Sequence, residues 1–187
     1  MKQRCAWCEG DSLYETYHDL EWGVPVYDDA KLFEFLTLET FQAGLSWITV
    51  LRKREHFRKA FDNFDYQRIA LYDQYKIEEL IQNTNIIRNR LKITATVSNA
   101  KAFIKIQKEF ESFSNYIWGF VNGEPIQNTY KKLGEIPANT PLSDTISKDL
   151  KKRGFKFVGA TVVYAHMQAT GMVNDHTTSC FRHKELV

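Results

Sequence analysis

The sequence predicts an almost entirely helical protein. Three observations carry this. Apolar residues recur at helical spacing along most of the chain, helix-capping residues stand where those runs begin, and the one β-branched stretch, "FKFVGATVVY", has no clear strand partner and so reads as helix. Asp28-Asp29 opens a run with Leu32, Phe33, Leu36 and Phe41 inward, and Gly44 breaks it. Ser46 opens the next, with Trp47, Val50, Leu51, Phe57 and Phe61 at helical spacing. Asp65 caps a short helix, a second short one ends near Gln82, and "NTN" at 83–85 is turn chemistry. A long helix is expected over residues 86–108 and another over 113–120, while "VNGEP" and "EIPANTPLSD" read as loops. Ser143 or Asp144 starts a helix ending near Arg153-Gly154. A last helix spans 158–169 and stops at Gly171.

The 187 residues suffice for one domain, 1–187, and 43% apolar content excludes a disordered chain. Aromatic residues make up 14%, more rings than a core needs, which points to a ring-lined pocket. The formal net charge is only +2, so any nucleic-acid signal must be local rather than bulk. The segment "MKQRCAWCEGDS" lacks the apolar run of a signal peptide, and no stretch is long enough to span a bilayer, so a cytoplasmic protein with no membrane partner is expected. Three Cys are too few for a disulfide framework. Grouped with His in a reducing compartment, they read as metal or catalytic residues.

Cys5, Cys8 and His18 stand near the start, and "HTTSC" places His176 and Cys180 near the end. His-x3-Cys puts two ligands on one face of a helical turn. Two thiolates and two imidazoles make a tetrahedral set suited to structural zinc, and such a site would tie down both termini. Spacing leaves two sets open: Cys5, Cys8, His176 and Cys180, or Cys5, His18, His176 and Cys180.

"LIQNTNIIRNRLKI", residues 80–93, reads as helix, tight turn, helix, with Arg88, Arg90 and Lys92 just after the turn. Free N–H groups at a helix N-terminus suit a phosphate, so these residues are candidate DNA-backbone contacts. The turn lacks glycine, and Asn85 is the residue able to adopt a left-handed conformation. Two more basic runs, "LRKREHFRK" and "KDLKKRGFK", suggest one basic surface on a neutral body. "LYETYHDLEWGVP" sets Tyr14, Tyr17 and Trp22 beside His18, and Trp7 and Trp47 join them as candidate pocket walls. Glu39 lies in an apolar helix just before a Gly-Leu-Ser-Trp turn. Rings with one carboxylate suit a flat, cationic or amino-bearing ligand.

"YHDLEWGVP", "LETFQAGLSWITVLRKRE", "NIIRNRLKI" and "KKRGFKFVGATVVYAHMQATGMVNDH" together resemble the 3-methyladenine DNA glycosylase I (Tag) family, over nearly the whole chain from Cys5 to Cys180. The resemblance implies an all-α helix-hairpin-helix DNA glycosylase fold, with the hairpin at about 80–93 and a zinc site joining the N- and C-terminal segments. It places the zinc ligands on Cys5, His18, His176 and Cys180, with Cys8 a local addition. It puts the base-recognising carboxylate on Glu39 and pocket rings on Trp7, Tyr14, Tyr17, Trp22 and Trp47.

The implied activity is flipping and hydrolytic release of 3-methyladenine from alkylated double-stranded DNA by a monomer, leaving an abasic site and the free base. Related glycosylases carry an essential Asp after the hairpin, but no Asp lies between Asp73 and Asp144 here. N3-alkylated adenine is already cationic, so its departure needs no protonation. No lysine is placed for Schiff-base chemistry, so a monofunctional enzyme is expected. Glu39 would hydrogen-bond the amino edge of the base, with Tyr17 adding a second bond. Gln42, Gly44 and Leu45, on the turn after Glu39, would fill the gap that the flipped base leaves.

Overall fold

A computed structural model describes residues 2–187. Its helices are α1 (Ser12–Leu20), α2 (Asp29–Gln42), α3 (Trp47–Ala60), α4 (Tyr66–Ile69), α5 (Gln74–Gln82), α6 (Arg90–Phe110), α7 (Phe113–Gly119), α8 (Pro141–Lys152), α9 (Ala160–Ala169) and α10 (Phe181–Glu185). Two short strands, β1 (Ile126–Gln127) and β2 (Val173–Asn174), pair in parallel, Ile126 with Val173 and Gln127 with Asn174. Among the described residues no helix is long and apolar enough to cross a membrane.

The centre of the fold is α2. Every residue from Leu32 to Phe41 is buried, and the helix packs against α3, α6, α7 and α9. A helix enclosed on all sides must be capped from within the protein. At its start, the Asp28 carboxylate accepts from Lys31 N at 2.9 Å. The neighbouring Asp29 reaches across the fold and accepts from Phe113 N (2.9 Å) and Ser114 N (2.8 Å), capping α7. At its end, the Lys92 ammonium donates to the carbonyls of Phe41 (3.1 Å) and Ala43 (3.0 Å). A cation there also meets the negative end of the helix dipole.

This placement corrects the expectation that Lys92 projects toward DNA, since its side chain is buried and holds α6 to the end of α2. The turn after α5 also differs from the expected one. Asn85 is not left-handed. Asn83 Oδ1 accepts from Asn85 N at 3.0 Å, and α6 starts at Arg90, four residues late, because Asn89 caps it through Lys92 N at 3.1 Å.

The helix expected from Ser143 or Asp144 starts at Pro141. Thr140 and Ser143 form a reciprocal capping box, and proline suits the first helical position. "FKFVGATVVY" does enter a helix, from Ala160, whereas the strand pair forms elsewhere, between the residues just after the "VNGEP" loop and those just after Gly171. Gly171 does more than stop α9. Its φ is +72°, and an added Cβ would lie 2.4 Å from Pro25 N, so only glycine lets the 171 turn meet the segment after α1.

Replacing Lys92 with Met should leave two carbonyls at the end of α2 without their donor and cost about 2 kcal/mol. A urea midpoint lowered at unchanged slope would show this. A midpoint equal to the wild type would refute the capping role.

Candidate active site and metal centre

A cavity of about 190 Å³ is lined by Trp7, Tyr14, Tyr17, Trp22, Glu39, Gln42 and Trp47, together with Leu133, Ile136, Ala165 and Gln168. Six of these residues come from four elements. Trp7 sits on a 3-10 turn before α1, Tyr14 and Tyr17 lie on α1, Glu39 and Gln42 on α2, and Trp47 opens α3. Asp11 caps α1 through Leu13 N (3.0 Å) and Tyr14 N (3.1 Å), and this fixes the ring-bearing face of α1. The rings brace one another: Trp7 meets Tyr14 edge-on at 4.8 Å and Trp22 at 5.0 Å, and Tyr17 lies 5.5 Å from Trp47.

Two polar atoms in this lining are buried without a hydrogen bond, Glu39 Oε2 and Trp47 Nε1. Burial without a compensating partner pushes the Glu39 carboxyl up to about 8. Its helix-mate Glu34 shows the contrast. It is also buried, but it accepts from Arg58 Nη2 at 2.6 Å and Nε at 3.0 Å. Buried orphan polar atoms are rare, and a pair of them in a ring-lined cavity is an arrangement for a ligand that brings its own donors and acceptors.

Beside the pocket, Cys5, His18, His176 and Cys180 come together, all buried, with their ligand atoms within 4.8 Å of one another. Cys180 Sγ lies 3.4 Å from His18 Nε2 and 3.5 Å from His176 Nδ1, and Cys5 Sγ lies 3.6 Å from His176 Nδ1. The outer ring nitrogens are fixed as well: His18 Nδ1 lies 2.8 Å from Asp19 Oδ1, and His176 Nε2 lies 3.0 Å from the Trp22 carbonyl. The Cys5 thiol, then His176 and His18, hydrogen-bond Cys180 and draw it far below the ordinary thiol range, which makes it the thiolate of the pair.

Two thiols and two imidazoles at this spacing can hold a metal ion. Cys8 is outside the group. Its thiol donates to the Cys5 carbonyl at 3.2 Å, and burial pushes it up to about 12. One expectation changes: His176 and Cys180 lie on a turn, closed by Cys180 N donating to Thr177 O at 2.8 Å, and Cys180 precedes α10 rather than sharing a helical face with His176.

The other candidates are distributed more widely. Gly44 and Leu45 are exposed on the turn after α2, with Gly44 at φ +85°. Arg88 is exposed, whereas Arg90 forms a two-pronged pair with Glu78 at 2.6 and 2.8 Å. The "LRKREHFRK" run is largely spent inside the protein. Arg52 pairs with Asp11, Arg54 with Glu21, and Arg58 with Glu34 and Glu55. Sequence reasoning missed four lining residues. Leu133 and Ile136 lie at a 3-10 turn between β1 and α8, and Ala165 and Gln168 lie on α9. No cap or charge pattern marks any of them; only the apolar character of Leu133 and Ile136 within a polar loop offered a signal.

A helical scaffold that presents an aromatic cavity with one unsatisfied acid suits a flat, nitrogen-rich heterocycle. The chain belongs to the methyladenine glycosylase family, whose sequence model matches residues 7–183. It is 50% identical over 178 residues to DNA-3-methyladenine glycosylase 1 of Escherichia coli (strain K12), covering 95% of each chain. A crystal structure of 3-methyladenine DNA glycosylase I matches with TM-score 0.93 and 54% identity over 96% of this chain and 98% of that one. A variant of 3-methyladenine DNA glycosylase I in complex with 3-methyladenine matches with TM-score 0.92 and 36% identity over 95% and 96% of the two chains.

The raised Glu39 carboxyl has a consequence for stability. An unfolded Glu ionises near 4.5, but the folded one holds its proton to about 8. The stability this proton contributes is complete below 4.5 and is lost as pH rises through 8. Glu39→Gln, neutral throughout, should match the wild type at pH 4 and exceed it by about 3 kcal/mol at pH 7. Urea unfolding across pH 4–9 checks this. A constant difference across that range would mean that Glu39 is not desolvated.

Proposed function

We propose that this protein is a monofunctional base-excision DNA glycosylase. It flips an N3-alkylated adenine out of double-stranded DNA and hydrolyses its glycosidic bond, releasing free 3-methyladenine and leaving an abasic site. The observation that carries this is the pair of unpartnered buried atoms, Glu39 Oε2 and Trp47 Nε1, in a ring-lined cavity. The alkylated ring is cationic. On entering, it would stabilise the ionised form of Glu39, which burial disfavours, while the surrounding rings stack on it. Glu39 then takes the amino edge of the base, and Tyr17, packed against Trp47, adds a polar contact. Trp7, Tyr14 and Trp22 complete the walls.

The chemistry asks little more of the protein. A cationic purine leaves as a neutral base, so the bond needs no acid, and water attacks the sugar carbon. Glu39 is the only acid in the lining, and the lining holds no lysine, which supports simple hydrolysis over a Schiff base. The exposed Gly44-Leu45 turn and Gln42 stand where the chain leaves the pocket, suited to fill the gap in the duplex. The helix–turn–helix of α5 and α6 offers exposed Arg88 to the backbone as the hairpin, with Arg90 able to reach phosphate only by exchanging its partner Glu78. The protein acts as a monomer.

Zinc is the metal that two thiolates and two imidazoles favour, held by Cys5, His18, His176 and Cys180. It would supply no chemistry to the base. It would fix the termini and, through them, the Trp7 and Trp22 walls.

Release of 3-methyladenine from methylated DNA is the deciding measurement. Wild-type protein should release it, and Glu39→Gln should lower the rate at least about a hundredfold. Full activity in that variant would remove the role of Glu39, and binding of the free base without release would make the protein a non-catalytic binder. Elemental analysis should find about one zinc per chain. That content should persist in Cys8→Ser and fall in His176→Ala. Equal loss in both would overturn the ligand set.

A further inference from the structure

Gln168 lines the pocket but took no part in the reading above. It stands one helical turn after Tyr164 on α9, and both side chains end on the same buried carboxylate. Asp175 Oδ2 accepts from Tyr164 Oη at 2.5 Å and from Gln168 Nε2 at 2.8 Å, while Oδ1 accepts from Asn128 Nδ2 at 2.7 Å. A carboxylate has only acceptors to offer. A glutamine amide can ordinarily be turned end for end, but here the amino end is held by Asp175. The carbonyl is the free end, and it belongs to a side chain in the pocket wall.

We propose that Gln168 sets which base the pocket accepts, as a locked hydrogen-bond acceptor that takes one hydrogen of an exocyclic amine and repels an oxo group at the same position. This deepens the base-excision reading and rests on it. Glu39 alone does not make the choice. Its carboxyl can keep or lose its proton near neutral pH, so it is able to donate to an oxo group or to accept from an amine. Gln168 has no such freedom, because reversing it would set its carbonyl against Asp175 Oδ2. The two hydrogens of the amine are divided between Glu39 and Gln168, and an oxo purine would face one acceptor that cannot adapt. Opposing two acceptors in a dry pocket is the kind of mismatch that discriminates strongly between otherwise similar ligands.

The test compares two probes, 3-methyladenine and 3-methylhypoxanthine, which differ in amine against oxo and in the ring N–H that the oxo form carries, by quenching of tryptophan fluorescence at pH 7; the second difference is common to wild type and variants, so the change of ratio on substitution reads the first. Wild-type protein should favour the amine by about tenfold or more. Gln168→Leu should bring the two affinities within about twofold, chiefly by weakening 3-methyladenine. Gln168→Glu should keep the wild-type ratio, because beside Asp175 the new carboxyl stays protonated, donates its O–H to Asp175 and still presents a carbonyl. An unchanged ratio in Gln168→Leu, an equal weakening of both probes, or loss of the ratio in Gln168→Glu would each overturn the proposal. Failure of the wild type to bind 3-methyladenine at all would instead overturn the base reading beneath it.

Discussion

The arrangement of the pocket depends on the joining of the two chain ends. Cys5 and His18 come from the first turns of the protein, His176 and Cys180 from the last, and their donor atoms converge within 4.8 Å. Each imidazole also serves as a packing surface. Trp7 lies edge-on to His18 at 5.3 Å, and Trp22 lies edge-on to His176 at 4.6 Å, so two pocket walls rest directly on the cluster. The backbone repeats the tie. Phe181 N donates to the Gln3 backbone carbonyl at 2.9 Å, and Gly23 N to the Gln168 backbone carbonyl at 3.1 Å. The C-terminal turn also steadies the far side of the pocket, since Thr178 N donates to Tyr130 O at 2.9 Å, just ahead of Leu133.

Within this frame α2 carries two buried carboxyls. A helical stretch buried on every side would ordinarily carry no charge, yet Leu32–Phe41 carries Glu34 and Glu39, five residues apart. The first is neutralised by Arg58, and the second is left alone. Holding an unpaired carboxyl in a dry site lowers the stability of the empty protein at neutral pH, and that energy is returned to any ligand whose charge or donors satisfy it. On the proposed function, recognition of a cation would come from what the protein withholds from Glu39, more than from any contact it provides. The fully occupied core around Leu32–Phe41 is what can sustain the cost.

Local chemistry was legible in the sequence where it is self-contained. Caps such as Asp28 and Asp65 announce themselves, and α2, α3, α4, α7 and α9 lie close to where periodicity and caps put them. Helix starts were misplaced where two caps compete, as with Thr140 against Ser143, or where a late Asn89 overrides an apolar run. The helix α1 went unread, and β1 and β2 are too short to show a pattern; they exist because residues 126 and 173 meet. In the site, aromatic and Cys/His residues stood out by type. Ala165 and Gln168 did not, because their part is set by position on α9 and by Asp175. Charge runs were the least informative: sequence shows that Arg52, Arg54 and Arg58 are basic, but not that each already has an acid.

The contact between Cys5 and His176 spans 171 positions of the chain. Helices such as α6 can form from local contacts, but this closure waits until nearly the entire chain has found its path. Two walls of the ring-lined cavity, Trp7 and Trp22, pack on imidazoles of this cluster, so their placement is tied to a contact between residues far apart in sequence. Closing a loop of nearly the whole chain is costly in entropy, and that cost grows only slowly with loop length, so insertions in the loops between α1 and α10 should disturb the join less than a change at its four residues.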